Sequence, residues 1–385
     1  LKRSDSRSEL HLDIKAANNI AAIFLPGFSI AEGTKVDAEF NPMTERFSVT
    51  ANSDYIEYAD FFVTKLGFTA DNTSDPGAIA LRFTTEDLYL PGFSMPSNDI
   101  AARVADDRIE VNANISNSTS DLNAVFDVQS LLSRTEEDKE LRIGLLFKSS
   151  SHIMTGKQRW NISSNLIEYT PKRITIDDFL ITSGAQKLHV DGTLAGGKDD
   201  TLRLALDEFS IRPLNSIAGL PEGTVRGSLD GSATLISGMK DPILIADIMM
   251  DSLSMNGYTA PRLRLNSAWD FATERAGLSL VNTADGKTLV RGFYRPDTNS
   301  YAATVDIDGI PLAAANPFLP ADVIHSVEGT TALYLELRGS KGMPKMNGTL
   351  SVSDFSTTIG ITDVTYSTPT LDIDIAVMLK AENKA

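Results

Sequence analysis

Apolar and polar residues alternate along this chain almost from end to end, and that alternation leaves few folds open. The clearest runs are Leu202-Leu204-Leu206, Leu263-Leu265, Leu278-Leu280, Leu333-Leu335-Leu337 and Leu371-Ile373-Ile375-Val377. Arg203, Asp207, Arg262, Arg264, Glu336, Asp372 and Asp374 sit in or beside these runs. A period of two with one apolar and one charged side predicts antiparallel strands covered on one face only. Asp191–Gly192, Asp230–Gly231, Asn256–Gly257, Asp285–Gly286 and Asn347–Gly348 read as hairpin turns between them. Helical patterning is confined to short stretches: 13–24, 213–220, 311–319 and, more weakly, 128–138. Pro213 and Pro311 suit a first helical turn, where the missing N–H costs nothing.

Composition narrows the partners. With 35 Lys+Arg against 51 Asp+Glu, the net charge is −16, and no window concentrates basic residues as a nucleic-acid surface requires. Nucleic acid is therefore excluded as a partner. A hydrophobic content of 42 % excludes general disorder. The absence of cysteine removes disulfides, thiol nucleophiles and Cys-ligated metals, and suits an oxidising compartment. No uncharged run is long enough to cross a bilayer as a helix. The start at Leu1-Lys2-Arg3 reads as that of a fragment or processed chain.

A longer period overlies the alternation. Phe209-Ser-Ile-Arg-Pro-Leu214 leads through Leu220–Pro221 to Leu229-Asp230-Gly231, then Gly238, Pro242 and Leu253. Asp308-Gly-Ile-Pro-Leu312 leads through Leu319–Pro320 to Val327-Glu328-Gly329, then Gly339, Pro344 and Phe355. The offsets are 98, 99, 98 and 102 residues. Leu25–Pro26 opens the N-terminal part in the same way. A unit of short helix, Leu–Pro and meandering strands thus recurs about every hundred residues, as in tandem arrays. The expected division is 1–125, 126–208, 209–307 and 308–385.

The spacing Ile310-Pro311-Leu312, Leu319–Pro320, Gly329, Gly339, Pro344, Met346, Gly348 and Leu350 resembles the repeat of TamB and the wider AsmA-like proteins of Gram-negative envelopes. The resemblance runs over most of the chain and is sharpest from about Ile174 onward. It implies an elongated, repetitive antiparallel sheet curled into an apolar groove, a β-taco, with a few short helices. Tandem β-sandwiches are the alternative, since alternation alone suits a dry core equally well. The resemblance further implies a periplasmic segment of a protein anchored in the inner membrane through a region outside this chain. Its expected partners are phospholipid acyl chains and an outer-membrane barrel of the Omp85 class. The implied function is carriage of phospholipid between the membranes. The groove residues would be Leu202, Leu204, Leu206, Leu263, Leu265, Leu278, Leu280, Leu333, Leu335, Leu337, Leu371, Ile373 and Ile375. Two other readings are a β-scaffold for outer-membrane protein assembly, pairing through the strand at 370–378, and an adhesin-like array with a closed core.

Nothing in the sequence points to catalysis, a cofactor or a metal. His11, His152, His189 and His325 lie far apart, with no ligand spacing. Gly27-Phe-Ser-Ile-Ala31 and Gly92-Phe-Ser-Met-Pro96 lack the second glycine of a nucleophile elbow. Asp306-Ile-Asp308 and Asp372-Ile-Asp374 place carboxylate pairs on a wet strand face rather than in a calcium loop. Trp160 and Trp269 suit either a groove mouth or packing beneath a turn.

Overall fold

The computed structural model describes residues 7–378, apart from 17, 19–24, 60, 91–92, 118–121, 135–139, 218–222, 241, 321–322 and 341–342. Most of the 13–24 segment, Leu220–Pro221 and Pro91–Gly92 therefore lie outside the described residues. The protein is all-β, and the chain divides into two units, Leu1–Ser183 and Gly184–Ala385.

The first unit holds β1 (Ser8–Ile14), β2 (Phe28–Ile30), β3 (Thr34–Asn41), β4 (Arg46–Tyr58), β5 (Phe61–Asp71), β6 (Ile79–Leu90) and β7 (Phe93–Ala105). It continues with β8 (Arg108–Asn117), β9 (Leu122–Arg134), β10 (Leu141–Phe147), β11 (His152–Thr155), β12 (Gln158–Ser163), β13 (Leu166–Thr170) and β14 (Arg173–Ser183). From β3 to β9 every strand pairs antiparallel with the next in sequence. Beyond β9 the ladder splits. The first half of β9 pairs with β11 and the second half with β10, and β14 likewise takes β13 and β12 end to end. Serine hydroxyls bridge the split. The fully buried Ser151 Oγ accepts from the Asp127 N–H at 2.9 Å and donates to its carbonyl at 3.0 Å. Ser164 Oγ accepts from the Phe147 N–H at 3.0 Å. Backbone groups that lose their ladder partner are thus satisfied without water.

The second unit holds β15 (Gln186–Leu194), β16 (Thr201–Ser210), α1 (Pro213–Ile217), β17 (Val225–Ile236), β18 (Ile243–Met255), β19 (Tyr258–Thr259) and β20 (Leu263–Asp270). Then follow β21 (Arg275–Asn282), β22 (Thr288–Arg295), β23 (Ser300–Pro311), a 3-10 helix (Leu312–Phe318), β24 (Ile324–Ser340), β25 (Met343–Ile359) and β26 (Val364–Met378). The pairing from β15 to β26 is an unbroken antiparallel meander, with β18 bonded to both β19 and β20. A β-sandwich would divide these strands between two sheets; within each unit the ladder instead stays continuous.

Three sequence expectations change. Of the stretch 128–138, residues 128–134 are strand rather than helix, because Val128 and its neighbours are held by β8 and β10 on both edges; 135–138 lie outside the described residues. Three of the five Asx–Gly pairs are not turns. Asp191–Gly192, Asp230–Gly231 and Asn347–Gly348 lie inside β15, β17 and β25. Only Asn256–Gly257 and Asp285–Gly286 turn the chain, with Gly257 at φ 82° and Gly286 at φ 76°.

Two stations of the sequence repeat have matched local structures, in a different register. Asn215 in α1 accepts from the Val225 N–H at 2.8 Å, and Asn316 in the 3-10 helix accepts from the Val327 N–H at 2.8 Å. Each asparagine thereby seats the first turn-like element on the strand that follows it. Immediately after come matched bulges, Val225-Arg226-Gly227 and Val327-Glu328-Gly329, at φ 144° and φ 126° for the glycines. Opposite them, Ser252 and Asp354 bulge at φ 51° and φ 50°. The structural partner of Gly329 is therefore Gly227, not Gly231, because the bulge rather than the Asx–Gly dipeptide marks the equivalent position.

Candidate functional site

Residues directly opposite one another in antiparallel strands share a sheet face, so the register assigns faces across the second unit. One row runs Leu188–Leu206–Gly231–Ile248–Leu265–Leu280–Val290–Val305–Leu335–Gly348–Ile375. The adjacent row on the same face runs Val190–Leu204–Ala233–Ala246–Ser267–Leu278–Gly292–Ala303–Leu337–Met346–Val377. Leu202 pairs with Leu235, Leu263 with Met250, and Leu333 with Leu350, which in turn faces Ile373; Leu371 faces Val352. All thirteen residues expected from the sequence thus stand on one face of one sheet.

Their burial describes the character of that face. Leu206 and Leu263 are 5 % and 8 % exposed, and Ile373 on β26 is 42 % exposed. The other ten are half-buried. A dry core would hold such side chains almost fully enclosed. Of the helical elements in the unit, α1 and the 3-10 helix, five and seven residues long, are too short to cover twelve strands.

Sequence reasoning missed the residues between the leucines. Ala233, Ala246, Ser267, Gly292 and Ala303 fill the middle of the second row, where no alternation of large apolar residues marks them. Ala246 and Ser267 are each 4 % exposed. Small side chains beside a row of Leu, Ile and Val make a furrow that crosses the strands. Gly292 keeps it low, since a Cβ there would stand 2.9 Å from the Ala302 carbonyl; Gly348 lies in the first row, where a Cβ would strike the Tyr334 carbonyl. The small residues run from β17 to β23, interrupted by Leu278 on β21; at roughly 4.8 Å per strand these six strands carry the furrow on the order of 25 Å.

The first unit also sorts its residues by face. Val36, Val49, Phe68, Phe83, Ile100, Val111 and Phe126 fall on one side. A polar pair of contacts interrupts that side: Thr34 Oγ1 to Ser53 Oγ at 2.7 Å, and Asn98 Nδ2 donating to Thr85 Oγ1 at 2.8 Å, all four residues buried. Trp160 is 3 % exposed on the same side, opposite Ile153, with its Nε1 donating to Thr155 Oγ1 at 3.3 Å. Trp269 lies on the apolar side of the second unit opposite Ala276, one pair from the turn at 271–274.

The other face is wet and ionic. Arg264 Nε donates to Asp247 at 2.7 Å and Arg82 Nε to Asp99 at 2.9 Å, each joining adjacent strands. These hydrogen bonds from Arg264 and Arg82 hold the Asp247 and Asp99 carboxyls below the usual carboxylate range. Asp306 is paired with Lys287 at 3.1 Å. Of the histidines, His11 Nδ1 contacts Asp37 at 2.7 Å, a bond that raises its pKa, and His152 Nδ1 contacts the Ser150 carbonyl at 2.8 Å. Among the described residues no three His, Asp or Glu side chains cluster as a metal site. No described helix is long and apolar enough to cross a membrane.

No protein-family model matches the chain, and no curated protein matches it in sequence.

Proposed function

We propose that the apolar face of the second unit is a lipid-binding surface, and that the chain is a periplasmic segment of a TamB/AsmA-like protein carrying phospholipid between the inner and outer membranes. The observation that supports this reading is the unbroken register. Thirteen Leu and Ile side chains and a furrow of small residues share one largely half-buried face, and the two short helices of the unit are too small to cover it. An acyl chain laid in the furrow supplies that cover. At about 0.8 kcal/mol per buried methylene, a 16-carbon chain gains on the order of 10 kcal/mol. Because every position offers similar contacts, the chain can shift along the face at small cost, and the headgroup stays in water.

The test is native mass spectrometry with lipid extraction on the protein purified from a bacterial periplasm. Phospholipid should co-purify, and should be lost when Leu335→Asp is combined with Ile373→Asp. A folded wild-type protein free of lipid would sink the proposal.

A second reading has its own observation. Among the described residues β26 pairs only with β25, and Tyr366 and Val364 on it are 58 % and 43 % exposed. Such an edge suits pairing with a strand of another protein, such as a client or an Omp85-class barrel partner. Proline substitutions at alternate positions of 364–378 would then abolish partner capture while leaving bound lipid unchanged.

A further inference from the structure

The wet face of the second unit carries a concavity of about 740 Å³ over β20 to β24, within the usual size of small-molecule sites. Its floor is the register row Ala268–Gly277–Phe293–Ala302, ending at Arg338. Arg275 and Arg291 flank the floor from opposite sides, each two residues along its strand from Gly277 or Phe293. The three small residues give depth, and the Arg275 guanidinium stands over the Phe293 ring, 5.0 Å from its centroid.

The charge of this lining is anomalous. The chain as a whole has 51 acidic and 35 basic residues, yet the lining contains three arginines and no carboxylate. The nearest acids are already engaged. Asp270, opposite Arg275, accepts from Thr273 Oγ1 at 2.6 Å and from the Ala272 N–H at 2.9 Å, and these bonds, with a smaller contribution from the Arg275 charge, hold its carboxyl below the usual range. Glu336 accepts from Tyr334 at 3.0 Å and from Arg338 at 3.3 Å. No ion pair holds Arg275 or Arg291 among the described residues. Elsewhere on this face arginines are neutralised across strands, as Arg264 is by Asp247.

We infer that the concavity is a binding site for a phosphoryl group. Planar guanidinium forks suit phosphate oxygens; Arg275 and Arg291 are in no ion pair among the described residues, Arg338 adds a third guanidinium that Glu336 already contacts at 3.3 Å, and Phe293 supplies an apolar floor for the group the phosphate is attached to. The strongly negative chain repels anions elsewhere, so binding has to be local to these arginines. The site lies on the face opposite the proposed lipid surface, so either reading can fail without the other. A phosphoryl group could be presented by a soluble phosphate compound or by a membrane headgroup.

The full chain should be titrated with inorganic pyrophosphate by calorimetry, and separately mixed with phosphatidylglycerol and phosphatidylcholine vesicles. Wild type should bind pyrophosphate, or the anionic vesicles alone. Arg291→Gln with Arg338→Gln should weaken that binding at least tenfold. Arg264→Gln, a paired arginine on the same face, should change it less than twofold. Both substituted arginines are exposed, and an unchanged circular-dichroism spectrum will confirm that the double variant folds. Binding of pyrophosphate identifies a soluble ligand; arginine-dependent binding of anionic vesicles without pyrophosphate binding identifies a headgroup. If neither probe binds, or if the double variant binds as wild type does, the assignment is wrong.

Discussion

Replacing Leu335 by aspartate separates an open apolar face from a closed core. Leu335 is half-buried between Val305 and Gly348. Full burial of a leucine is worth about 1.5–3 kcal/mol, so a half-buried one contributes about 1–2 kcal/mol. On an open face the new carboxylate keeps its water and adds little to that loss. In a sealed core the same substitution would add the desolvation of a charge and the loss of packing, about 4 kcal/mol or more in total. Leu206, 5 % exposed on the same row, is the internal control. Leu206→Asp should cost about 4 kcal/mol by that reasoning, at least twice the effect at Leu335. Urea unfolding followed by circular dichroism gives both values. Equal destabilisation at the two positions would refute the open-face argument, whatever happens to bound lipid.

Three further outcomes follow from local geometry. Asn215→Ala should cost about 2–3 kcal/mol in urea unfolding, because it strands the Val225 N–H beside a residue that is 1 % exposed; Asn316→Ala, at a half-buried site, should cost about 1 kcal/mol. His11 should titrate above 6.5 by NMR, and Asp37→Asn should return it towards that value. A raised folded pKa means the His11 contribution is complete below 6.5 and disappears as pH rises through the folded value. Asp99, Asp127 and Asp247 have lowered pKa values, held by Arg82, Ser150 and Arg264 respectively. Their contribution is present above the unfolded carboxylate value near ~4 and is lost as pH falls through the folded ones, so the urea midpoint should drop below about pH 4 and Arg264→Gln should shrink that drop.

Strand identity and apolar face were legible because they depend on one local variable, the parity of Leu and Ile positions. Leu333, Leu335 and Leu337 could stand nowhere but on one side of β24. Features set by the partner strand were not legible. Gly192, Gly231 and Gly348 look like turn glycines beside Asp or Asn, yet each sits within a ladder; at Gly192 and Gly231 a Cβ would meet the facing strand's carbonyl. The helix expected over 128–138 gives way to strand across its described part, 128–134, for the same reason: Ser130 and Leu131 are fixed by neighbours on both sides, not by propensity. The furrow residues Ala246 and Ser267 carry no signal alone and acquire a role only through register. The arginine concavity was invisible because Arg275, Arg291 and Arg338 are 16 and 47 residues apart in sequence.

The strand-to-next-strand pairing of β20 to β26 bears on how the molecule comes into being. Apart from β23 to β24, which the 3-10 helix separates, each closure in that stretch joins segments a short loop apart, so its contact order is low and its entropic cost is small at each step. Such a sheet can grow one hairpin at a time behind an emerging chain, each new strand templated by the free edge of the last. It can also lose or gain a hairpin without disturbing the register of strands already paired, which makes length the easiest property of this architecture to change.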